Sequence, residues 1–185
     1  MYTPDGSLVW KKLASQQLHN EPWFTVRKEK VALPTGKVIE DYYVLDYPEW
    51  INVIPVTPEK KIVMVEQYRY ALGKVSLEIP AGVCEKEDPS LLASAQRELL
   101  EETGYGKGRW RFLCSFSANA GTHTNLSHTF IAEDVELVAD QSLDETEDIK
   151  VHLIDREEVF EMLQKNCFVQ SLLAAPLWHY FYQCR

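Results

Sequence analysis

Hydrophobic positions in the first half of the chain fall in short runs separated by polar breaks. Trp23 to Val31 and Val38 to Leu45 are rich in β-branched and aromatic residues and flank Pro34-Thr35-Gly36, which predicts a hairpin. Trp50 to Val56 and Ile62 to Arg69, divided by the turn at Pro58-Glu59-Lys60, predict two more strands, and Val75 to Ile79 a shorter one. From Ser90 to Tyr105 the period becomes helical. Leu92, Ala95 and Leu99 form an apolar stripe, Asp88 suits the cap, Pro89 the first helical position and Gly104 a left-handed end. Trp110 to Phe116 and His128 to Ala132 predict strands joined by the mostly polar stretch from Ser117 to Ser127. Two helices close the chain. Asp155 and Glu158 have capping-box spacing for Arg156 to Gln164, and Leu172 to Tyr182 is apolar and aromatic enough to be packed.

The polar face of the middle helix is unusual. Glu98 and Glu102 emerge one turn apart on one face, Glu101 stands beside them, and Arg97 lies one turn before Glu101. Like charges at this spacing oppose the helix by roughly 0.2–0.5 kcal/mol per pair, and the C-terminal end of a helix is itself negative. A solvated charged face is one reading. A divalent cation, for which carboxylate oxygens are the preferred ligands, is the other, because it turns repulsion into ligation.

The remaining composition narrows the classes. A chain of 185 residues, 45% hydrophobic, fits one sizeable domain or a domain with a small appendage. No apolar run approaches the length of a membrane span and no leader is evident, so no membrane partner and a cytoplasmic location are expected. A net charge of −9 argues against a nucleic-acid partner. Cys84, Cys114, Cys167 and Cys184 are scattered without a C-x-x-C pair, which points to reduced structural thiols. His123 and His128 read as ordinary hydrogen-bonding residues.

Gly82 followed by Arg97-Glu98-Leu99-Leu100-Glu101-Glu102-Thr103-Gly104-Tyr105 resembles the box of the Nudix hydrolases, G-x5-E-x7-R-E-U-x-E-E-x-G-U, where U is an apolar residue. The last nine positions match in full. Between Gly82 and Arg97 this chain has one residue more, so Glu85, Glu87 and Asp88 are all candidates for the acidic position at the front of the box. The resemblance implies an α/β (α+β) Nudix fold, a mixed β-sheet sandwiched between α-helices. It also implies that Glu98 and Glu102 are metal ligands for Mg2+, with Mn2+ as a substitute, and that Arg97 orients Glu101.

Other segments resemble the ADP-ribose pyrophosphatase and nucleotide-sugar branch of that family. Glu66-Gln67-Tyr68-Arg69 is similar to its E-Q-Y-R, implying that Arg69 holds the diphosphate or sugar. Glu78-Ile79-Pro80-Ala81-Gly82 is similar to E-L-P-A-G, implying Glu78 beside the substrate and the Ala81 carbonyl as a metal ligand. Glu145-Thr146-Glu147-Asp148-Ile149 is similar to E-x-E-D-I, implying Glu145 as general base and Glu147 as a further ligand. In that branch an N-terminal antiparallel sheet serves dimerisation, so residues 1–48 are expected to be such an extension, residues 49–185 the Nudix domain, and the protein a homodimer. Trp23 or Trp50 would stack a nucleobase. The implied function is metal-dependent hydrolysis of a nucleoside diphosphate linked to another moiety, ADP-ribose or another nucleotide sugar, to a nucleoside monophosphate and a sugar phosphate. The competing readings are a non-catalytic nucleotide sensor and an enzyme acting on nucleoside triphosphates or dinucleoside polyphosphates.

Overall fold

The computed structural model describes residues 3–21 and 24–183, which group into two units, Met1–Tyr47 with Asn119–Asn125 and Pro48–Ala118 with Leu126–Arg185. In the first unit, β1 (Lys11–Glu21) precedes the expected hairpin of β2 (Phe24–Ala32) and β3 (Val38–Asp46), and the three strands lie antiparallel in chain order. The hydrophobic pattern predicts nothing over 11–21. Every residue of β1 is exposed, so neither face has to be apolar, and its backbone ladder to β2 holds it. The hairpin closes through the Leu33 amide to the Lys37 carbonyl at 2.8 Å, with Gly36 at φ +84°. Arg27 grips Asp46 across β2 and β3, Nη2 to Oδ1 at 2.9 Å, and also pairs with buried Glu29.

The second unit is a mixed α+β arrangement. Its elements are β4 (Trp50–Val56), β5 (Lys61–Arg69), β6 (Lys74–Glu78), β7 (Ala81–Val83), α1 (Leu91–Thr103), β8 (Tyr105–Gly106), β9 (Arg109–Phe116), β10 (Ser127–Glu133), β11 (Glu136–Leu137), β12 (Lys150–Asp155), α2 (Arg156–Gln164) and α3 (Ser171–Gln183). The main sheet runs β12-β5-β4-β10-β9, with β6 on β5 and β7 on β4; β4 and β10 are parallel and the other pairs antiparallel. Strand β4 is apolar nearly throughout because both of its faces are covered. Ile51 and Val53 join Ala95 and Leu99 of α1 in one core, while Ile54 and Val56 join Val159 and Leu163 of α2 and Leu173 and Leu177 of α3 in the other. Burying a side chain such as Leu99 contributes about 2 kcal/mol.

Three local arrangements differ from the pattern's expectation. Ser90, not Asp88, caps α1 by accepting the Ala93 amide at 3.1 Å, and Pro89 lies outside the helix. Leu92 is 36% exposed, so the buried stripe is Ala95 and Leu99. Asp155 stands at the start of α2 without a capping hydrogen bond, and its carboxylate meets Lys61 at 3.4 Å instead. Gly104 does end α1, at φ +74°. Inside α3, Pro176 has no N–H for the Leu172 carbonyl one turn earlier, and buried Asn52 of β4 supplies the missing donor at 3.2 Å. Among the described residues no helix is long and apolar enough to cross a membrane.

Candidate active site

The short strand β7 and the last turns of α1 meet face to face. Ala81 pairs with Asn52 and Gly82 with Ile51, so β7 is locked to the sheet, while Leu99 and Ala95 press α1 onto the same face. Glu98 and Glu102 then project toward β7. Glu102 accepts the Ala81 amide at 3.1 Å. Glu98 lies directly over Gly82: a Cβ there would stand 2.1 Å from its carboxyl carbon, so any larger residue would displace the Glu98 carboxylate.

Arg97 is the hub of the box. Its Nη1 donates to Glu98 and to Glu101, each at 2.9 Å, and its Nη2 donates to the Val83 carbonyl and to Asp88, again at 2.9 Å. The Nε–H completes a fork on Asp88 at 3.3 Å. Of the three acidic candidates at the front of the box, Asp88 therefore takes the place beside the arginine. Glu85 comes no nearer than 4.0 Å. One fork explains both the acidic position and the loss of Asp88 as a helix cap. The guanidinium holds the Asp88 carboxyl down at about 2, and the carboxylates around Arg97 raise its own pKa.

The neighbouring carboxylates behave oppositely. Burial pushes the Glu102 pKa up to about 8; the Ala81 amide pulls it down, while Glu98 and Glu147 push it further up. Burial also raises the Glu98 pKa, against the pull of Arg97. Negative groups are gathered here, and at Glu102 the pull of the nearby Arg69 charge is smaller than the effect of burial.

Beside this cluster, Arg69 at the end of β5 donates to Glu78 of β6, Nε to Oε1 at 2.9 Å and Nη2 to Oε2 at 2.5 Å. Glu78 is only 2% exposed, so its match with Arg69 is what makes its burial tolerable. The pair forms part of the wall of a cavity of about 560 Å³, lined also by Tyr68, Tyr70, Gln170 and Ser171. Glu147 lies in the exposed stretch ahead of β12, where its carboxylate accepts the Asp144 amide at 3.1 Å, and it acts electrostatically on Glu98, Glu102 and Arg69. Glu145 is exposed in the same stretch. Trp50 is half-buried at the start of β4, whereas Trp23 lies outside the described residues. His128 bonds Ser115 at 2.7 Å and Glu49 at 2.8 Å, and His123 stacks on Tyr47.

Among the described residues no group of three or more His, Cys, Asp or Glu side chains stands in a cluster that could hold a metal ion. Glu98, Glu102 and Glu147 are each turned to a protein donor: Arg97, the Ala81 amide and the Asp144 amide. The chemistry of the donor set nevertheless fits a hard divalent cation. It consists of carboxylate oxygens that repel one another, two of them with pKa values raised by burial. Asp88's role was open in the sequence among three acids, and no sequence signal marks Gln141, whose side chain reaches the Glu102 carbonyl at 2.7 Å.

Residues 47–171 match the NUDIX domain, and residues 10–45 match the nucleoside diphosphate sugar hydrolase N-terminal domain. The chain is 33% identical over 162 residues to the ADP-ribose pyrophosphatase of Bacillus subtilis, covering 86% of each. It is likewise 33% identical over 163 residues to the methanol dehydrogenase activator of Bacillus methanolicus, covering 87% of this chain and 86% of that one. Its fold is similar to that of an ADP compounds hydrolase, with a TM-score of 0.82 at 18% identity over 94% of this chain and 93% of that one. The glycine, arginine and glutamates that the box requires meet at one place between β7 and α1, and with the domain match running through them the chain belongs to the Nudix hydrolase family.

Proposed function

We propose that the protein hydrolyses the diphosphate of a nucleoside diphosphate sugar, with ADP-ribose the leading substrate, to a nucleoside monophosphate and a sugar phosphate. The observation that carries this reading is the meeting of Glu98 and Glu102 with β7, next to a cavity walled by the Arg69–Glu78 pair. The activity named for the Bacillus subtilis relative and the match over residues 10–45 support it.

Glu98, Glu102, Glu147 and the Ala81 carbonyl would hold the divalent ion, Mg2+ or, in its place, Mn2+. When bound it neutralises the diphosphate and acidifies water. Arg97 fixes Glu98 and Glu101 through paired hydrogen bonds, so the ligand face keeps its shape as substrate arrives. Two of the N–H donors of Arg69 face Glu78, and the rest remain for a phosphate oxygen or a sugar hydroxyl. Glu145 takes the proton of the attacking water, whose oxygen bonds to one phosphorus. The bridging P–O bond breaks, and its electrons leave with the other phosphate. Trp50 and Trp23 are the candidates for stacking the base. The reading includes a cytoplasmic homodimer joined through the β1–β3 sheet.

Purified protein incubated with ADP-ribose and Mg2+ is expected to release a nucleoside monophosphate and ribose phosphate. Intact ADP-ribose beside turnover of another diphosphate rejects the substrate and keeps the chemistry. A nucleotide bound tightly with Mg2+ and never cleaved rejects the enzyme.

A further inference from the structure

We infer that Gln141 is a positioning residue: its side-chain amide pins the neck of the acidic loop 142–148 to the last turn of α1, and so sets where Glu145 and Glu147 stand relative to Glu98 and Glu102. The inference rests on the hydrolytic role proposed above for that loop.

The loop leaves α1's vicinity at Ser142 and rejoins the sheet at β12. Gln141 touches both ends. Its Nε2 donates to the Glu102 carbonyl at 2.7 Å and to the Ile149 carbonyl, directly ahead of β12, at 3.2 Å. Both partners are carbonyl oxygens, which only donate-capable atoms can satisfy, so the amide has one orientation and one hydrogen for each end of the loop. Around this pin the backbone follows the helix terminus. The Ser142 amide donates to the Glu101 carbonyl at 2.9 Å, and the Val138 and Ala139 amides donate to the Gly104 carbonyl at 2.9 and 3.1 Å.

The last turn of a helix leaves carbonyls without partners from within the helix. Here Glu101 and Glu102, two of the box glutamates, have their carbonyls taken up by Ser142 and Gln141. The acidic loop is thereby registered on the backbone of the same residue whose side chain faces Ala81. Within the loop the Glu147 amide donates to the Asp144 carbonyl at 2.9 Å and the Asp144 amide to the Glu147 carboxylate at 3.1 Å. These shape the turn without anchoring it. Gln141 is itself exposed, so its loss opens no cavity.

The test is a double-mutant cycle with Glu145. Gln141→Ala and Gln141→Glu are expected to lower kcat by about 10-fold or more, because a displacement on the order of 1 Å can cost about 100-fold. KM changes little, and thermal melts stay close to wild type. Gln141→Asn keeps the amide but is one methylene too short to span both carbonyls, so it falls between. In a Glu145→Gln background, Gln141→Ala costs clearly less in kcat than in wild type, the remainder passing through Glu147. Hydrogen exchange of the peptide covering 142–148 quickens in Gln141→Ala, whether or not substrate is turned over. Additive losses in the Glu145→Gln background, or unchanged exchange in the loop, overturn the inference alone. A Glu145→Gln enzyme with wild-type turnover overturns the base assignment, and the inference falls with it.

Discussion

Replacing Glu102 by Gln separates what the fold tolerates from what the reaction requires. The residue is 3% exposed and its pKa is pushed from 4.5 up to about 8, first by burial. At about 1.36 kcal/mol per unit, holding Glu102 ionised in metal-free protein costs at most on the order of 5 kcal/mol, and relaxation of the chain around the charge lowers that figure. Between pH 4.5 and about 8 the native protein retains a proton that the unfolded chain has released. Stability is therefore fully present below the lower value and falls as pH rises through the window. Gln offers the same acceptor oxygen to the Ala81 amide and carries no charge. Metal-free Glu102→Gln is expected to exceed wild type in stability at pH 8 by about 2 kcal/mol or more and to match it near pH 4.5, while turnover drops by about 100-fold or more. Urea denaturation in EDTA across this pH range measures the first effect, and steady-state rates measure the second. A variant with the wild-type pH slope, or one less stable at pH 8, would refute the claim that burial outweighs the pull of the Ala81 amide and of Arg69 on this carboxylate.

Two further substitutions probe the same framework. Asp88→Asn removes the carboxylate that Arg97 holds at about 2, below its ordinary 3.8. That contribution is present above the ordinary value and lost as pH falls through about 2, so at neutral pH the variant should lose about 1–2 kcal/mol after solvent screening and about 10-fold in rate as Arg97 loosens. Denaturant melts and kcat measure both. Gly82→Ala places a methyl 2.1 Å from the Glu98 carboxyl carbon. Because a flexible side chain can swing away, circular dichroism should show the fold retained while activity falls about 100-fold; a fully active alanine variant would contradict the close approach.

The legible parts of this molecule are those where one residue type has one physical use. Gly104 had to end α1 because it alone enters the left-handed region cheaply, and Arg97 and Glu101, four apart on a helix, had to meet. Strands β4 and β5 were readable as apolar runs because a sheet covered on both faces demands them. Strand β1 was not, since a strand exposed throughout leaves no hydrophobic period. The choice between Asp88 and Ser90 as cap depended on Arg97, a partner nine positions from Asp88 that competes for its carboxylate. Asp155 repeats the lesson, drawn off by Lys61. Gln141 sits in an aperiodic stretch and finds its carbonyl 39 residues back along the chain, a contact that only the folded backbone reveals.

Diffraction from crystals soaked in Mn2+, with anomalous scattering to identify the ion, tests the acidic cluster most directly. An anomalous peak is expected between β7 and α1, within coordination distance of Glu98 and Glu102 oxygens, and is expected to be lost in Glu102→Gln. A peak elsewhere, or those carboxylates still turned to Arg97 and the Ala81 amide at saturating Mn2+, would contradict it.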